Sequence, residues 1–177
     1  MKVIYFDTET TGLLKPKMVP LEKQPYIIDI GCIVVVDGKV VERYSQLVKP
    51  PIEIDDVITK ITKITNEELK NQPSFKDVYD EVKRVFSGAD YVVAHNAKFD
   101  MGMLKNELKR LGKENDFPMP KHVICTVEEF TPLFGKYPKL TEVYKKVMGV
   151  TLDEKHRALS DANDLYTICE KAGIPAV

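Results

Sequence analysis

Two runs rich in β-branched residues stand on either side of the dipeptide Asp37-Gly38. Asp-Gly between such runs is the strongest short signal for a two-residue hairpin turn, so Tyr26–Val36 and Lys39–Val48 are predicted to pair as antiparallel strands. Lys2–Phe6 is β-branched and aromatic and is predicted as a shorter strand before them. The chain is therefore expected to open with an antiparallel meander of three strands, which stops at Pro50-Pro51.

Helical signals alternate with short apolar runs in the rest of the chain. Thr65 and Glu68 have the spacing of a capping box, and Ser74 can cap a longer helix that stops at Gly88. Two strands and three helices are predicted beyond that point, at Tyr91–Ala94, Val123–Thr126, Ala97–Leu111, Leu140–Met148 and Ala158–Cys169. This order predicts an α/β fold with a mixed five-stranded sheet, in which a three-stranded antiparallel meander is joined by parallel strands and flanked by helices.

The length and charge of the chain limit what it can be. Its 177 residues fit one domain and no Gly/Ser-rich or charged linker divides them, so residues 1–177 are expected to form a single domain. The 26 basic and 27 acidic residues give a net charge of −1, which excludes a globally basic protein that coats nucleic acid by charge alone. Contact with nucleic acid would therefore need a local basic patch or bound cations.

The chain also lacks the usual signals for a membrane or an oxidising compartment. The longest nearly apolar run, Tyr26–Val36, is interrupted by Asp29 and is too short for a membrane helix. Asp7 and Glu9 stand where a signal peptide needs an apolar core. The three cysteines are widely separated and include no CxxC pair, which disfavours a disulfide framework or a thiolate zinc site. We therefore expect a cytoplasmic protein with no membrane contact.

Acidic residues fall at the ends of predicted strands and the starts of predicted helices. Asp7 and Glu9 are two residues apart, so they share one face if the first strand continues through them. Asp100 lies four residues after Asn96, where a strand passes into a helix. Taken singly, these acids also fit a solvated strand end or a compensated helix dipole. Taken together, carboxylate oxygens at an open site suit magnesium or manganese.

His156 and Asp161 form a third cluster, around the start of the last helix. Five residues on a helix amount to about 140° of rotation, so the two side chains converge only if His156 precedes the helix. Asp164 is an alternative to Asp161 on spacing alone. Four carboxylates are neutralised by two divalent cations, which is the arrangement used for in-line displacement at phosphorus. A nearby imidazole is suited to taking a proton from water at neutral pH.

Three motifs now identify a family resemblance: FDTETTGL (Phe6–Leu13), VVAHNAKFD (Val92–Asp100) and HRALSD (His156–Asp161). In this order and spacing they resemble the DEDDh (DnaQ-like) 3′→5′ exonucleases, the family that includes the proofreading epsilon subunit of bacterial DNA polymerase III. The resemblance implies a ribonuclease H-like fold and a 3′→5′ exonuclease that uses two divalent cations, Mg²⁺ or Mn²⁺.

The resemblance also implies roles for individual residues. His156 would be the general base, and the metal-binding acids would be Asp7, Glu9, Asp100 and Asp161. The residues implied to border the terminal nucleotide are Thr8, Thr10, Leu13, His95, Asn96 and Phe99. His95 is open to a second interpretation, as a structural residue that orients the helix start.

The chain departs from the family pattern in two places. Many members carry a His-Gly pair in a loop that approaches the substrate, whereas Thr62 and Lys63 stand at the corresponding places in Ile61–Thr65. The family's contacts from this loop to base or sugar therefore do not carry over to these residues, and Lys63 is a candidate for contact with a phosphate. Only 16 residues (177 − 161) follow Asp161, so no tail of the kind that holds the epsilon subunit to its polymerase is expected.

The leading hypothesis is a metal-dependent 3′→5′ exonuclease that releases nucleoside monophosphates from single-stranded DNA. An exoribonuclease is the nearest alternative, because the motifs do not distinguish the 2′-hydroxyl; overall resemblance favours DNA over RNA. A catalytically silent nucleic-acid-binding module and a metallophosphatase for small esters are alternatives from other classes. The pathway, the oligomeric state and protein partners do not follow from the sequence.

Overall fold

The computed structural model describes residues 1–152 and 156–175. Five strands form one mixed sheet in the order β3-β2-β1-β4-β5. β1 pairs with β2 and β2 with β3 in antiparallel orientation, whereas β4 is parallel to β1 and to β5. The strand bounds are β1 Lys2–Thr10, β2 Ile27–Val36, β3 Lys39–Leu47, β4 Tyr91–Ala94 and β5 His122–Cys125. The predicted mixed sheet is confirmed.

Seven α-helices lie in the described part of the chain: α1 Asp56–Thr62, α2 Asn66–Leu69, α3 Phe75–Phe86, α4 Ala97–Leu111, α5 Thr126–Phe134, α6 Leu140–Met148 and α7 Ala158–Ala172. The sequence patterns did not predict α1 and α5. None of the described helices is long and apolar enough to span a membrane.

Local sequence signals account for most element boundaries. Asp37 and Gly38 have φ angles of 49° and 76°, the positive values that a tight hairpin turn requires. Thr65 and Ser74 each close a complete capping box at the start of α2 and α3. Asn96 precedes α4 as expected, but it has a left-handed backbone (φ 74°) and its side chain makes no capping hydrogen bond. Asparagine tolerates that conformation better than most residues.

The central strand β1 separates two apolar cores because successive side chains point to opposite faces. Ile4 and Phe6 pack with residues of α3 and α4 on one face. Val3 and Tyr5 pack with residues of α5, α6 and α7 on the other. β1 continues past these residues. By the same alternation, Asp7 and Glu9 lie on the face of β1 that α7 covers, together with Val3 and Tyr5.

Candidate active site

The acids of the first motif lie at the carboxyl end of β1. Asp7 is in register with Gly31 of β2, and Glu9 is in register with Asp29. A β-bulge between Glu9 and Thr10 interrupts the pairing immediately afterwards. β4 ends beside β1 and is parallel to it, so the helix start that carries Asp100 lies at the same edge of the sheet.

Three of the predicted acids come together in a group suited to a cation. One carboxylate oxygen from each of Asp7, Glu9 and Asp161 lies within 4.8 Å of the other two. Asp161 is in the first turn of α7, which packs against β1 and β2. The group contains Asp161 and not Asp164, which lies almost one turn further along α7.

Asp100 is buried and lies outside that 4.8 Å group. Its Oδ1 accepts hydrogen bonds from the Thr8 backbone N–H (3.0 Å) and from the Thr8 hydroxyl (2.8 Å). These two bonds link the first turn of α4 to β1, between Asp7 and Glu9. They also occupy the Thr8 groups that the family resemblance assigns to substrate binding, a role that stays a prediction.

The four acids lie close enough for their charges to influence one another. Burial, followed by the negative charges of the other acids, raises the pKa of Asp7 well above its ordinary value. Burial and the charge of Asp161 raise the pKa of Glu9 to about 8. Burial also raises the pKa of Asp100 to about 7, although the hydrogen bonds from Thr8 oppose the change. These shifts favour the protonated form of the three carboxyl groups unless positive charge is supplied.

A divalent cation fits this donor set. All the donors are carboxylate oxygens, the ligands that magnesium and manganese prefer, and the three residues of the group are only partly buried, so ions from solvent can reach them. A cation would supply the positive charge that these buried carboxylates lack and relieve the repulsion that adds to burial in raising the pKa values of Asp7 and Glu9. The residues placed to hold it are Asp7, Glu9 and Asp161, with Asp100 adding charge from the buried side.

His156 precedes α7, as its predicted separation from Asp161 required. It is half-buried and has a positive φ of 46°, a conformation uncommon for residues other than glycine. Arg157 follows at the helix N-cap, and its backbone carbonyl accepts a hydrogen bond from the Asp161 N–H (3.0 Å). His156 is thus joined to Asp161 through the first turn of one helix.

The remaining residues of the first two motifs have different environments. Leu13 is 81% exposed just beyond β1, which suits a side chain that contacts a ligand. The Thr10 hydroxyl donates to the Gly12 carbonyl (2.7 Å) and shapes the turn before Leu13. Asn96 is exposed, whereas Phe99 is partly buried against the core shared with α4.

His95 has a structural environment. Its Nδ1 lies 2.9 Å from the Thr126 hydroxyl and its Nε2 lies 3.0 Å from the Pro138 carbonyl. The carbonyl can only accept, so Nε2 carries a proton. Burial lowers the pKa of His95, which favours the neutral ring. Both ring nitrogens are therefore engaged by the protein; the assignment of His95 to substrate binding stays a prediction.

The departure at Thr62 and Lys63 has a local structural explanation. The buried Thr62 hydroxyl donates to the Ile58 carbonyl (2.9 Å) and accepts from the Ile64 N–H (3.1 Å), so it closes α1. Lys63 follows with a left-handed backbone, and its Nζ donates to the Lys60 carbonyl (2.7 Å). The two residues end the helix through their own side chains.

Sequence reasoning missed one buried ion pair beside these acids. Asp29 is 1% exposed, and its Oδ2 accepts from the Arg157 Nε at 3.0 Å. The available signal was a charged residue within an otherwise apolar strand, because a buried charge needs a partner. The partner could not be read from the sequence, since it lies 128 residues away.

The strand order and the acids at the end of the central strand define a ribonuclease H-like domain. Within that class, the chain belongs to the exonuclease family RNase_T, whose model matches residues 4–169. The family expected from the three motifs is confirmed.

Two curated relatives show the range of proteins that contain such a domain. The chain is 35% identical over 160 residues to the DNA polymerase III PolC-type of Clostridium perfringens, covering 90% of this chain and 10% of that protein. It is 36% identical over 164 residues to the 3′-5′ exonuclease DinG of Bacillus subtilis, covering 91% of this chain and 16% of that protein. The chain therefore spans less than a fifth of the length of either relative.

Solved structures agree on the fold. Exonuclease X in complex with 5′ overhanging duplex DNA superposes with a TM-score of 0.64 and 27% identity, covering 99% of this chain and 94% of that one. The nuclease domain of 3′hExo, a DEDDh family member bound to rAMP, gives a TM-score of 0.72 at 19% identity, covering 96% and 90%. The second similarity is one of fold alone.

Proposed function

We propose that this chain is a metal-dependent 3′→5′ exonuclease that removes nucleoside monophosphates from the end of a nucleic-acid strand. The observation that carries the proposal is the group of carboxylates from Asp7, Glu9 and Asp161, within 4.8 Å of one another at the carboxyl end of β1. Membership of the exonuclease family supplies the reaction class.

The acids have one role in this proposal, which is to hold cations where a phosphate must sit. Asp7, Glu9 and Asp161 would bind them directly, and the charge of the buried Asp100 would strengthen the site. When bound, two Mg²⁺ or Mn²⁺ ions supply positive charge for the phosphate and for the departing oxygen. Thr8 fixes Asp100, because both of its donors bind one oxygen of that carboxylate.

His156 is the proposed general base. It takes a proton from the water that attacks the terminal phosphodiester; the new bond joins the water oxygen to phosphorus, and the bond from phosphorus to the 3′ oxygen breaks. The products are a nucleoside 5′-monophosphate and a strand with a new 3′-hydroxyl. The exposed Leu13 lies just beyond β1, and we assign it to the wedge against the terminal base.

Single-stranded DNA is the proposed substrate, with an RNA strand as the alternative. Support for DNA comes from two of the relatives above 25% identity, the PolC-type DNA polymerase and exonuclease X, whose structure contains DNA. The solved relatives that carry RNA or rAMP share only 19% identity with this chain. The three motifs do not distinguish the 2′-hydroxyl, so direct comparison of the two substrates is the deciding measurement.

The test uses a 5′-labelled single-stranded DNA and an RNA of the same sequence, each incubated with Mg²⁺, Mn²⁺ or EDTA. We expect metal-dependent shortening from the 3′ end, faster for DNA. Asp7→Ala should abolish it, and His156→Ala should reduce it by roughly 10²–10⁴-fold. His122→Ala is the control, because His122 is the first residue of β5 and lies at the end of the sheet away from the acids. Binding of both strands without shortening would instead indicate a silent binding module.

A further inference from the structure

The amino-terminal end of α7 lies directly on β2 at Gly31. A Cβ atom at this glycine would lie 2.1 Å from the Ala158 carbonyl carbon and 2.2 Å from the Leu159 nitrogen. Both atoms belong to the backbone, so no side-chain rotation could relieve the overlap. Any residue larger than glycine would therefore push the first turn of α7 away from the sheet.

Asp29 binds the same turn from two residues earlier on the same face of β2. Its Oδ2 accepts from the Arg157 Nε at 3.0 Å and from the Ala158 N–H at 3.3 Å. The Asp29 side chain is 1% exposed, whereas that of Arg157 is 39% exposed. Breaking a buried ion pair on one side leaves an uncompensated charge and is strongly destabilising. The pair therefore ties the helix start to the strand in one position.

These contacts affect the positions of the proposed catalytic groups, because they involve residues of α7 and β2 that lie next to those groups. Arg157 and Ala158 lie between His156 and Asp161, whereas Gly31 and Asp29 are the register partners of Asp7 and Glu9. Contacts through β2 therefore help to set the distance between the acids of β1 and the acid of α7, beside the direct packing of α7 on β1.

We propose that Gly31 and Asp29 are positioning residues for catalysis: Gly31 lets α7 approach, and Asp29 holds it through Arg157. Together they place His156 and Asp161 against Asp7 and Glu9. This inference rests on the roles proposed above for those four residues. Neither Gly31 nor Asp29 touches the substrate or the reacting atoms in this scheme.

Positioning and simple electrostatics make opposite predictions for Asp29→Asn. If Asp29 were only a further negative charge near the acids, its removal would raise the Mn²⁺ requirement but leave kcat at saturating Mn²⁺ intact. If Asp29 positions α7, its removal displaces Asp161, so kcat falls even at saturating Mn²⁺. Outer partners that orient metal ligands typically contribute about 10–100-fold in metal affinity or activity.

The experiment measures kcat, KM and the Mn²⁺ concentration for half-maximal rate on the single-stranded DNA described above, well below the melting temperature. We expect Asp29→Asn and Arg157→Lys each to lower kcat by about 10–100-fold, with KM nearly unchanged. The double variant should lose little more than either single one, since both remove the same contact. Glu42→Gln breaks the ion pair between Glu42 and Arg84, on β3 and α3, and is the matched control.

Gly31→Ala tests the close approach separately, because it leaves Asp29 and Arg157 unchanged and removes the space between β2 and α7. We expect it to lower kcat by at least as much as Asp29→Asn. If Gly31→Ala does not fold, the Asp29 and Arg157 variants still test the positioning role. Wild-type kcat and metal requirement in Asp29→Asn, alongside an inactive Asp7→Ala, would overturn the positioning role alone. Full activity in Asp7→Ala would instead overturn the proposed function.

Discussion

Burial and mutual repulsion raise the pKa values of the acids of β1 above those of isolated residues. Asp7 and Glu9 lie on one face of β1, so the fold brings both of them to Asp161. The resulting repulsion is a cost to the folded state, and this cost depends on pH.

The pH dependence of stability can be predicted from Glu9. Its pKa is about 8 in the folded chain against 4.5 ordinarily, so between those values the folded state holds a proton that the unfolded state has lost. The free energy of unfolding therefore falls as pH rises through this range. Without divalent cations, we expect the melting temperature to fall by several degrees between about pH 6.5 and 8, at about 2–4 °C per kcal/mol lost.

Thermal denaturation in EDTA, followed by circular dichroism, measures this effect. Glu9→Gln keeps the shape of the side chain and cannot ionise, so its melting temperature should fall less over the same range. Mg²⁺ should raise the wild-type melting temperature more at the higher pH, because cations bind the ionised carboxylates. A wild-type melting temperature that rose with pH in EDTA would contradict the raised pKa of Glu9.

Some site residues could be predicted from sequence and others could not, for a physical reason. The period of two along a strand is enough to place Asp7 and Glu9 together. The family motifs supplied Asp161 and His156. Gly31 and Asp29 belong to no motif recognised in the sequence, and their importance depends on contacts with a helix more than 120 residues away. Such contacts leave no local pattern.

At the scale of whole elements, the meander was predictable because the Asp37-Gly38 turn and the β-branched runs agree with each other. The helix α5 was missed because it begins at Thr126, directly after β5, and contains Pro132. A proline within a short apolar segment is ordinarily a sign against helix. The helix α1 was missed because it is a short surface helix that buries only Thr62.

His95 joins three elements and provides a test of its two interpretations. It follows β4 and contacts Thr126 at the start of α5 and Pro138 just before α6. His95→Ala would leave the buried Pro138 carbonyl without its bond and the Thr126 hydroxyl with only its bond to the Ala94 carbonyl (3.4 Å), at a cost of roughly 1–3 kcal/mol in the free energy of unfolding. We expect a lower melting temperature with KM for the DNA strand unchanged well below that temperature.

The same measurements distinguish a substrate-binding role. If His95 contacts the terminal nucleotide, KM will rise or kcat will fall in His95→Ala at temperatures where the variant is fully folded. His122→Ala is the matched control, because His122 is exposed at the start of β5. It should leave KM unchanged and affect stability only through the loss of its ring stacking on Tyr91, whose centroid lies 4.9 Å away.

At the scale of the whole molecule, one sheet is shared by two apolar cores. Phe6 is fully buried on the side of α3 and α4 and meets Phe86 edge-on, with ring centroids 5.3 Å apart. Leu165 of α7 is buried on the other side. Because β1 contributes to both cores, neither layer of helices can separate from the sheet without exposing a strand that the other layer needs.

This sharing predicts that both layers unfold in one transition. Phe6→Ala should lower the free energy of unfolding by about 3–5 kcal/mol and Leu165→Ala by about 2–5 kcal/mol, each as a single step. Far-UV circular dichroism and tyrosine fluorescence should give coincident urea curves for each variant. The two costs should add within about 0.5 kcal/mol, because the substitutions lie on opposite faces of the sheet.

Val41→Ala is the control for this experiment, since Val41 is 59% exposed on β3 and should change the free energy of unfolding by no more than about 0.5 kcal/mol. A two-step curve for Phe6→Ala or Leu165→Ala would mean that one layer of helices can detach alone. The consequence would reach the site, because Asp100 enters on the α4 side of β1 and Asp161 on the α7 side. A single transition means that the acids are assembled or lost together.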